Sequence, residues 1–236
     1  MRVFATIAYK GTNFFGSQIQ KETQNTIFGT FSGVLEKLGI HSKVVASGRT
    51  DKGVHATGQV CHFDLPPFWD DLNKLQSTLN TMLPPSILVK KIKKVDDDFH
   101  ARYSAKKRSY RYIIKEGKSN PFEDDFVTFI ANIDLKKIEQ KLKLFVGAHD
   151  FCNFMKTGSD VGSTTRIIYK AFVYKYKNYT IISFEANGFL RSQIRLMVGA
   201  LLTLSQEQIN AKLHNIKEIK LKPAPSNGLY LSKIKY

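Results

Sequence analysis

The chain has 236 residues, 42% of them hydrophobic, enough to bury the core of one large or two small domains, which argues against wholesale disorder. Lys and Arg number 36 against 20 Asp and Glu, a formal charge of +16, so a polyanionic partner is favoured, nucleic acid ahead of a membrane surface. No apolar run approaches the ~20 residues that a membrane span needs, and the two cysteines, Cys61 and Cys152, make no CxxC or Cys/His ligand spacing.

The chain opens on an alternating strand, Arg2 to Tyr9, with no signal-peptide apolar core. With the reducing environment that the cysteines imply, this points to a cytoplasmic location. Tyr9 to Asn13 is turn-rich. Ile27, Phe28, Phe31, Val34, Leu35 and Leu38 have helical spacing, closed by Gly39. Phe68 to Met82 reads as a second amphipathic helix stopped by Pro84-Pro85, and Ile87 to Val95 as a strand. Tyr110 to Ile114 is β-branched and aromatic, hence a strand.

Gly117 to Asp125 has the composition of a linker or long loop. Asp134 caps a helix carrying Leu135, Ile138, Leu142 and Phe145 on one face, ended by Gly147. Lys156 to Thr165 reads as a mobile loop, and Ile167–Tyr176 with Tyr179–Ala186 as a hairpin turning at Lys177-Asn178. Phe189 to Leu204 is apolar enough for a buried helix, and Ser205 caps a short one to Leu213. The order predicts an α+β fold of two sheet-plus-helix domains, residues 1–105 and 106–236, with mainly antiparallel strands around a central basic cleft.

The run Gly48-Arg49-Thr50-Asp51-Lys52-Gly53-Val54-His55-Ala56 is the most informative stretch. It lies between two apolar strands, Lys43–Ser47 and Gln59–Phe63, where a fold usually exposes chemistry. A carboxylate two residues from a fixed cation tends to stay ionised, which suits a nucleophile.

These nine residues resemble the signature loop of the tRNA pseudouridine synthase A family. His100–Ala105 with Arg108-Ser109-Tyr110-Arg111-Tyr112 resembles its second motif, and Gly147–Phe151 its third. Phe189-Leu190 with Arg195–Gly199 resembles the fourth, and Ala224-Pro225 with Gly228–Leu231 the last. The five occur in order over nearly the whole chain. The chain departs from the pattern at Ser17, where the family has Trp, and at Leu196, where it has Asn.

The resemblance implies two α+β domains around an RNA-binding cleft, a homodimer, and isomerisation of uridine to pseudouridine at positions 38–40 of the tRNA anticodon arm. That reaction has no redox change and calls for no cofactor or metal. It needs an extruded uridine, a nucleophile and a route for the C5 proton. On spacing alone Asp51 reads as a turn aspartate bonding its own backbone; in the full loop the resemblance makes it the nucleophile. Arg49 would flank the flipped base, against the simpler reading of a surface arginine on phosphate. Period two places Tyr110 and Tyr112 on one strand face, and only the family pattern selects Tyr110 to meet the uracil. Arg195 sits in an apolar helix pattern and is expected to reach the Asp51 carboxylate or a phosphate. Arg191 reads as a phosphate contact, or as a solvated helix edge.

His55 and His62 read as structural histidines. Lys106, Lys107, Arg108 and Arg111, interleaved with Tyr103, Tyr110 and Tyr112, suit RNA contact plus stacking. Two other readings fit part of the pattern. A non-catalytic RNA-binding protein would share the charge and the element order. A metal-dependent phosphoesterase would need Asp51, His55 and His62 to converge.

Overall fold

A computed structural model of the chain describes residues 1–158 and 161–236. Part of the loop expected over 156–165, namely residues 159 and 160, lies outside the described residues. In chain order the elements are β1 (Arg2–Tyr9), α1 (Ile27–Lys37), β2 (Val45–Ala46), β3 (His55–Asp64), α2 (Leu72–Met82), β4 (Ile87–Lys94), β5 (Lys107–Glu116), β6 (Thr128–Ile130), α3 (Leu135–Lys143), β7 (Gly147–Asp150), β8 (Thr165–Tyr176), β9 (Tyr179–Ala186), α4 (Gln193–Thr203), α5 (Gln206–Leu213) and β10 (Leu229–Lys235). They gather into two compact units, Met1–Lys106 with Tyr230–Tyr236, and Lys107–Leu229. Each is a mostly antiparallel sheet with helices, the α+β architecture that the element order predicts.

In the first unit β1 lies between β4 and β3, antiparallel to both, and β2 is antiparallel to β3. The sequence reading kept the last strand with the second half. It clusters instead with the first, because β10 runs parallel to β3 with Tyr230 opposite His55 and Leu231 opposite Ala56. Period two turns Val3, Ala5, Ile7 and Tyr9 of β1 inward. α1 buries Ile27, Phe28, Phe31, Val34 and Leu35, and Phe31 meets Phe63 edge-on at 5.9 Å. Thr26 starts that helix by accepting the Gly29 N–H at 3.0 Å, a cap worth ~1 kcal/mol. α2 begins at Leu72, later than Phe68, because the Asp71 carboxylate accepts the Asn73 and Lys74 N–H groups at 2.9 Å.

In the second unit β5 is antiparallel to β9, β9 to β8 and β8 to β7, while β6 runs parallel to β5. The β8–β9 hairpin turns where expected, with Lys177 at φ 54. Asp134 caps α3, and Ser205 forms a full capping box with Gln208 on α5. α4 starts at Gln193 rather than Phe189. Ser192 takes a left-handed φ of 59, and the Gln193 side chain accepts the Leu190 N–H at 2.7 Å, which stops helical winding before that point. The stretch 117–125 is a loop within this unit, not a linker. Glu123 holds it through Lys115 at 2.5 Å and Tyr179 at 2.6 Å, and Asn227 donates to the Asp124 carbonyl at 2.6 Å.

Candidate active site

The segment between β2 and β3 is held by hydrogen bonds from its backbone and from the Ser47 and Thr50 hydroxyls. The Ser47 N–H donates to the Val60 carbonyl at 2.8 Å and its hydroxyl to Gln59 Oε1 at 2.6 Å, while Gln59 Nε2 donates to the Gly48 carbonyl at 2.9 Å. Thr50 is fixed at each of its polar groups. Its N–H donates to Ser17 Oγ at 2.8 Å, its carbonyl accepts the Ser17 N–H at 3.1 Å, and its hydroxyl shares a hydrogen bond with Tyr9 at 2.9 Å. The Val54 N–H returns to the Asp51 carbonyl at 3.1 Å, closing a turn with Gly53 at φ 78. Beyond it, His55 Nδ1 accepts the Gly11 N–H at 3.0 Å and its ring stacks on Tyr230 at 4.7 Å. With Ser47 and Thr50 turned inward, Arg49 is exposed and Asp51 is partly exposed.

Tyr9 is 4% exposed. Burial pushes its phenol pKa up to about 12, against hydrogen bonds to Thr50, Gln59 and Ser17 that lower it, so it stays protonated and able to donate under the loop. The approach of residues 11–16 to the loop requires glycine at two points. A Cβ at Gly11 would lie 2.0 Å from the Val54 carbonyl oxygen, and one at Gly16 would lie 2.9 Å from that of Thr50, where φ is also 95. Lys52, next to Asp51, sits 4.3 Å from the centroid of the half-exposed Phe15 ring. The sequence pattern marks Ser17 only as a departure from the family and gives no role to Tyr9 or Gln59. The signal for Tyr9 was present: alternation along β1 makes it the fourth inward residue, and a buried tyrosine hydroxyl requires a partner.

The other two expected site residues lie in the second unit. Tyr110 is on β5, opposite Phe184 and edge-on to Phe189 at 5.3 Å. It is 7% exposed, so little of its ring face is open to a base. Tyr112 lies on the same face, fully buried, its hydroxyl donating to the Pro225 carbonyl at 2.9 Å and sharing a hydrogen bond with Thr128 at 2.7 Å. Burial raises its pKa, and the nearby charge of Arg195 works against that rise. Arg195 itself, on α4, donates from Nε to the Ala224 carbonyl at 2.7 Å, while its own carbonyl accepts the Ala224 N–H at 2.8 Å. The late-helix motif and the Ala224-Pro225 motif are thus stitched together within this unit. Arg191 is exposed.

Each histidine of the conceivable metal set uses Nδ1 to accept a backbone N–H, His55 from Gly11 and His62 from Ala101, both at 3.0 Å. Among the described residues no group of three or more His, Cys, Asp and Glu is placed to hold a metal ion. No described helix is long and apolar enough to cross a membrane.

His62 makes a pH prediction. Burial, reinforced by the charges of Arg2 and His100, lowers its pKa from 6.5. The folded chain therefore protonates at lower pH than the unfolded one, and protonation replaces the acceptor that Ala101 needs. This contribution to stability is complete above pH ~6.5 and is lost progressively as pH falls from there toward the folded value. Urea midpoints of the wild-type chain should drop between pH 7.5 and 5.5, and drop less for His62→Gln. Equal slopes for the two proteins would refute the assignment.

The model of a family described as tRNA pseudouridine synthase matches residues 5–104 and 142–236. The chain is 40% identical over 239 residues to tRNA pseudouridine synthase A of Wolinella succinogenes, covering 99% of this chain and 94% of that one. It is 39% identical over 241 residues to the protein of the same name from Campylobacter jejuni strain RM1221, with both chains covered in full (100% each). Among solved structures it is similar to a chain in a crystal structure of a Cbf5-Nop10-Gar1 complex, at 11% identity and a TM-score of 0.43, covering 97% of this chain and 48% of that one. These matches make the chain an RNA-modifying isomerase, and it belongs to the tRNA pseudouridine synthase family. Its activity is the isomerisation of uridine to pseudouridine in tRNA.

Proposed function

We propose that this enzyme modifies uridines 38–40 of the anticodon arm, with Asp51 as the nucleophile toward an extruded base. The observation that carries the reading is the hydrogen-bonded backbone of residues 47–55, which leaves Arg49 exposed and Asp51 partly exposed while Ser47, Thr50, Val54 and His55 are buried. A carboxylate on a backbone that cannot relax is preorganised for attack. The bond from ribose C1′ to N1 breaks, the ring turns, and C1′ bonds to C5; the C5 proton is lost and N1 gains one. Attack by Asp51 at ring C6 or at ribose C1′ places the same demand on the carboxylate.

Arg49 flanks the displaced base and its phosphate. Tyr110, with its ring mostly covered, contributes through its hydroxyl, polarising or passing a proton. Arg195 supplies positive charge to the RNA near the reacting nucleotide. The anticodon arm is held by shape and by phosphate charge, as a net charge of +16 supports. The enzyme works in the cytoplasm as a homodimer.

The choice of positions is tested by incubating the purified protein with unmodified tRNA transcripts and mapping pseudouridine along each. Product confined to positions 38–40 is expected. Product in another arm would overturn the placement while leaving the isomerase activity intact.

A further inference from the structure

We propose that Ser17 and Tyr9 are positioning residues for the nucleophile, acting through Thr50. The inference rests on Asp51 being the attacking group. Thr50 precedes Asp51 and has its N–H, carbonyl and hydroxyl all engaged by these two residues, at 2.8, 3.1 and 2.9 Å. On the other side of Asp51, the Val54 N–H holds the carbonyl at 3.1 Å. The backbone that carries the carboxylate is therefore held on both sides by hydrogen bonds to residue 51 and its neighbour.

Ser17 is itself anchored. It is 1% exposed, and its carbonyl accepts the Phe28 N–H at 3.0 Å, while the Gly16 carbonyl accepts the Ile27 N–H at 3.2 Å. Ile27 and Phe28 open α1, and the first amides of a helix have no partner within it. Those amides are spent here on the segment that grips Thr50. A line of contacts thus runs from the start of α1 through Ser17 to Thr50, the residue bonded to Asp51 in the chain. Tyr9 adds a second hold from β1, under the same residue. The mechanism does not use either hydroxyl chemically. Their effect is on where the Asp51 carboxylate sits, and misplacement of a reacting group by about 1 Å can cost 100-fold in rate.

The test compares wild type, Ser17→Ala, Ser17→Thr and Tyr9→Phe, measuring the single-turnover rate and the tRNA dissociation constant well below each melting temperature. Ser17→Ala should slow the single-turnover rate by about 10- to 100-fold, with tRNA affinity within about two-fold of wild type. Ser17→Thr, which keeps the hydroxyl, should recover most of the rate. Tyr9→Phe should slow it less, having lost one of three holds on Thr50. If Ser17→Ala does not fold, Tyr9→Phe decides alone, since it removes only the hydroxyl and keeps the buried ring. A wild-type rate in the folded variant, or a loss seen wholly in the dissociation constant, would overturn the proposal. The nucleophile reading is judged separately on Asp51→Asn, in which Ser17 and Tyr9 are intact.

Discussion

Gly11→Ala will destabilise the chain by about 3 kcal/mol or more, the upper end for an overpacked site, and the folded remainder will turn over slowly. The added methyl would sit 2.0 Å from the Val54 carbonyl oxygen and 2.7 Å from its carbon. Both are backbone atoms, so no side-chain rotation relieves the clash. Relief requires moving the turn that carries Asp51, or moving Gly11 and breaking its 3.0 Å N–H bond to His55. Either motion also disturbs the stacking of His55 on Tyr230. Gly33→Ala is the control. It lies within α1, a Cβ there meets nothing within 4 Å, and Ala should be neutral or stabilising by about 0.5–1 kcal/mol. Urea denaturation with an activity assay reads both. A Gly11→Ala protein as stable and active as wild type would show that the strap over the loop is not needed.

The sequence made the elements legible where the signal was local. Asp134 and Ser205 each announce a helix start, and each caps the helix that follows it. The hairpin turn at Lys177 follows from turn chemistry between two strand-like runs. What stayed hidden depends on partners distant in the chain. The pairing of Tyr230 with His55 spans most of the sequence, so no local pattern assigns the last strand to the first unit. The left-handed Ser192 is equally opaque, because the apolar run from Phe189 to Leu204 reads as one helix until the Gln193 side chain is seen to hold the Leu190 amide.

The candidate site divides in the same way. Arg49 and Asp51 stand out because a polar, glycine-rich run interrupts two apolar ones. Ser17 and Gln59 do not, since a buried hydroxyl and a buried amide look like surface residues in any composition window. Their importance lies in which backbone groups they meet: Thr50 in one case, Gly48 in the other. The departure from the family pattern at Ser17 thus falls on the residue that holds Thr50. Resemblance selects Tyr110 and the apolar helix pattern singles out Arg195, and the structure adds what spacing could not: the ring of Tyr110 is nearly covered, and Arg195 is tied to the Ala224 backbone.

Asp51→Asn removes the nucleophile with almost no change of shape. The side chain keeps its length, and the hydrogen bond from Val54 is to the backbone carbonyl of residue 51, so the turn should survive. Loss of a covalent nucleophile can cost up to about a million-fold in rate, and here at least ten thousand-fold is expected, with the positive surface still holding tRNA. The decisive measurement is tritium release from tRNA labelled at C5 of uridine, run beside a binding titration of the same variant. The account predicts tRNA affinity within about three-fold of wild type, a change under ~1 kcal/mol, and release at the level of a no-enzyme control. Release at anything near the wild-type rate by a folded Asp51→Asn protein would contradict it.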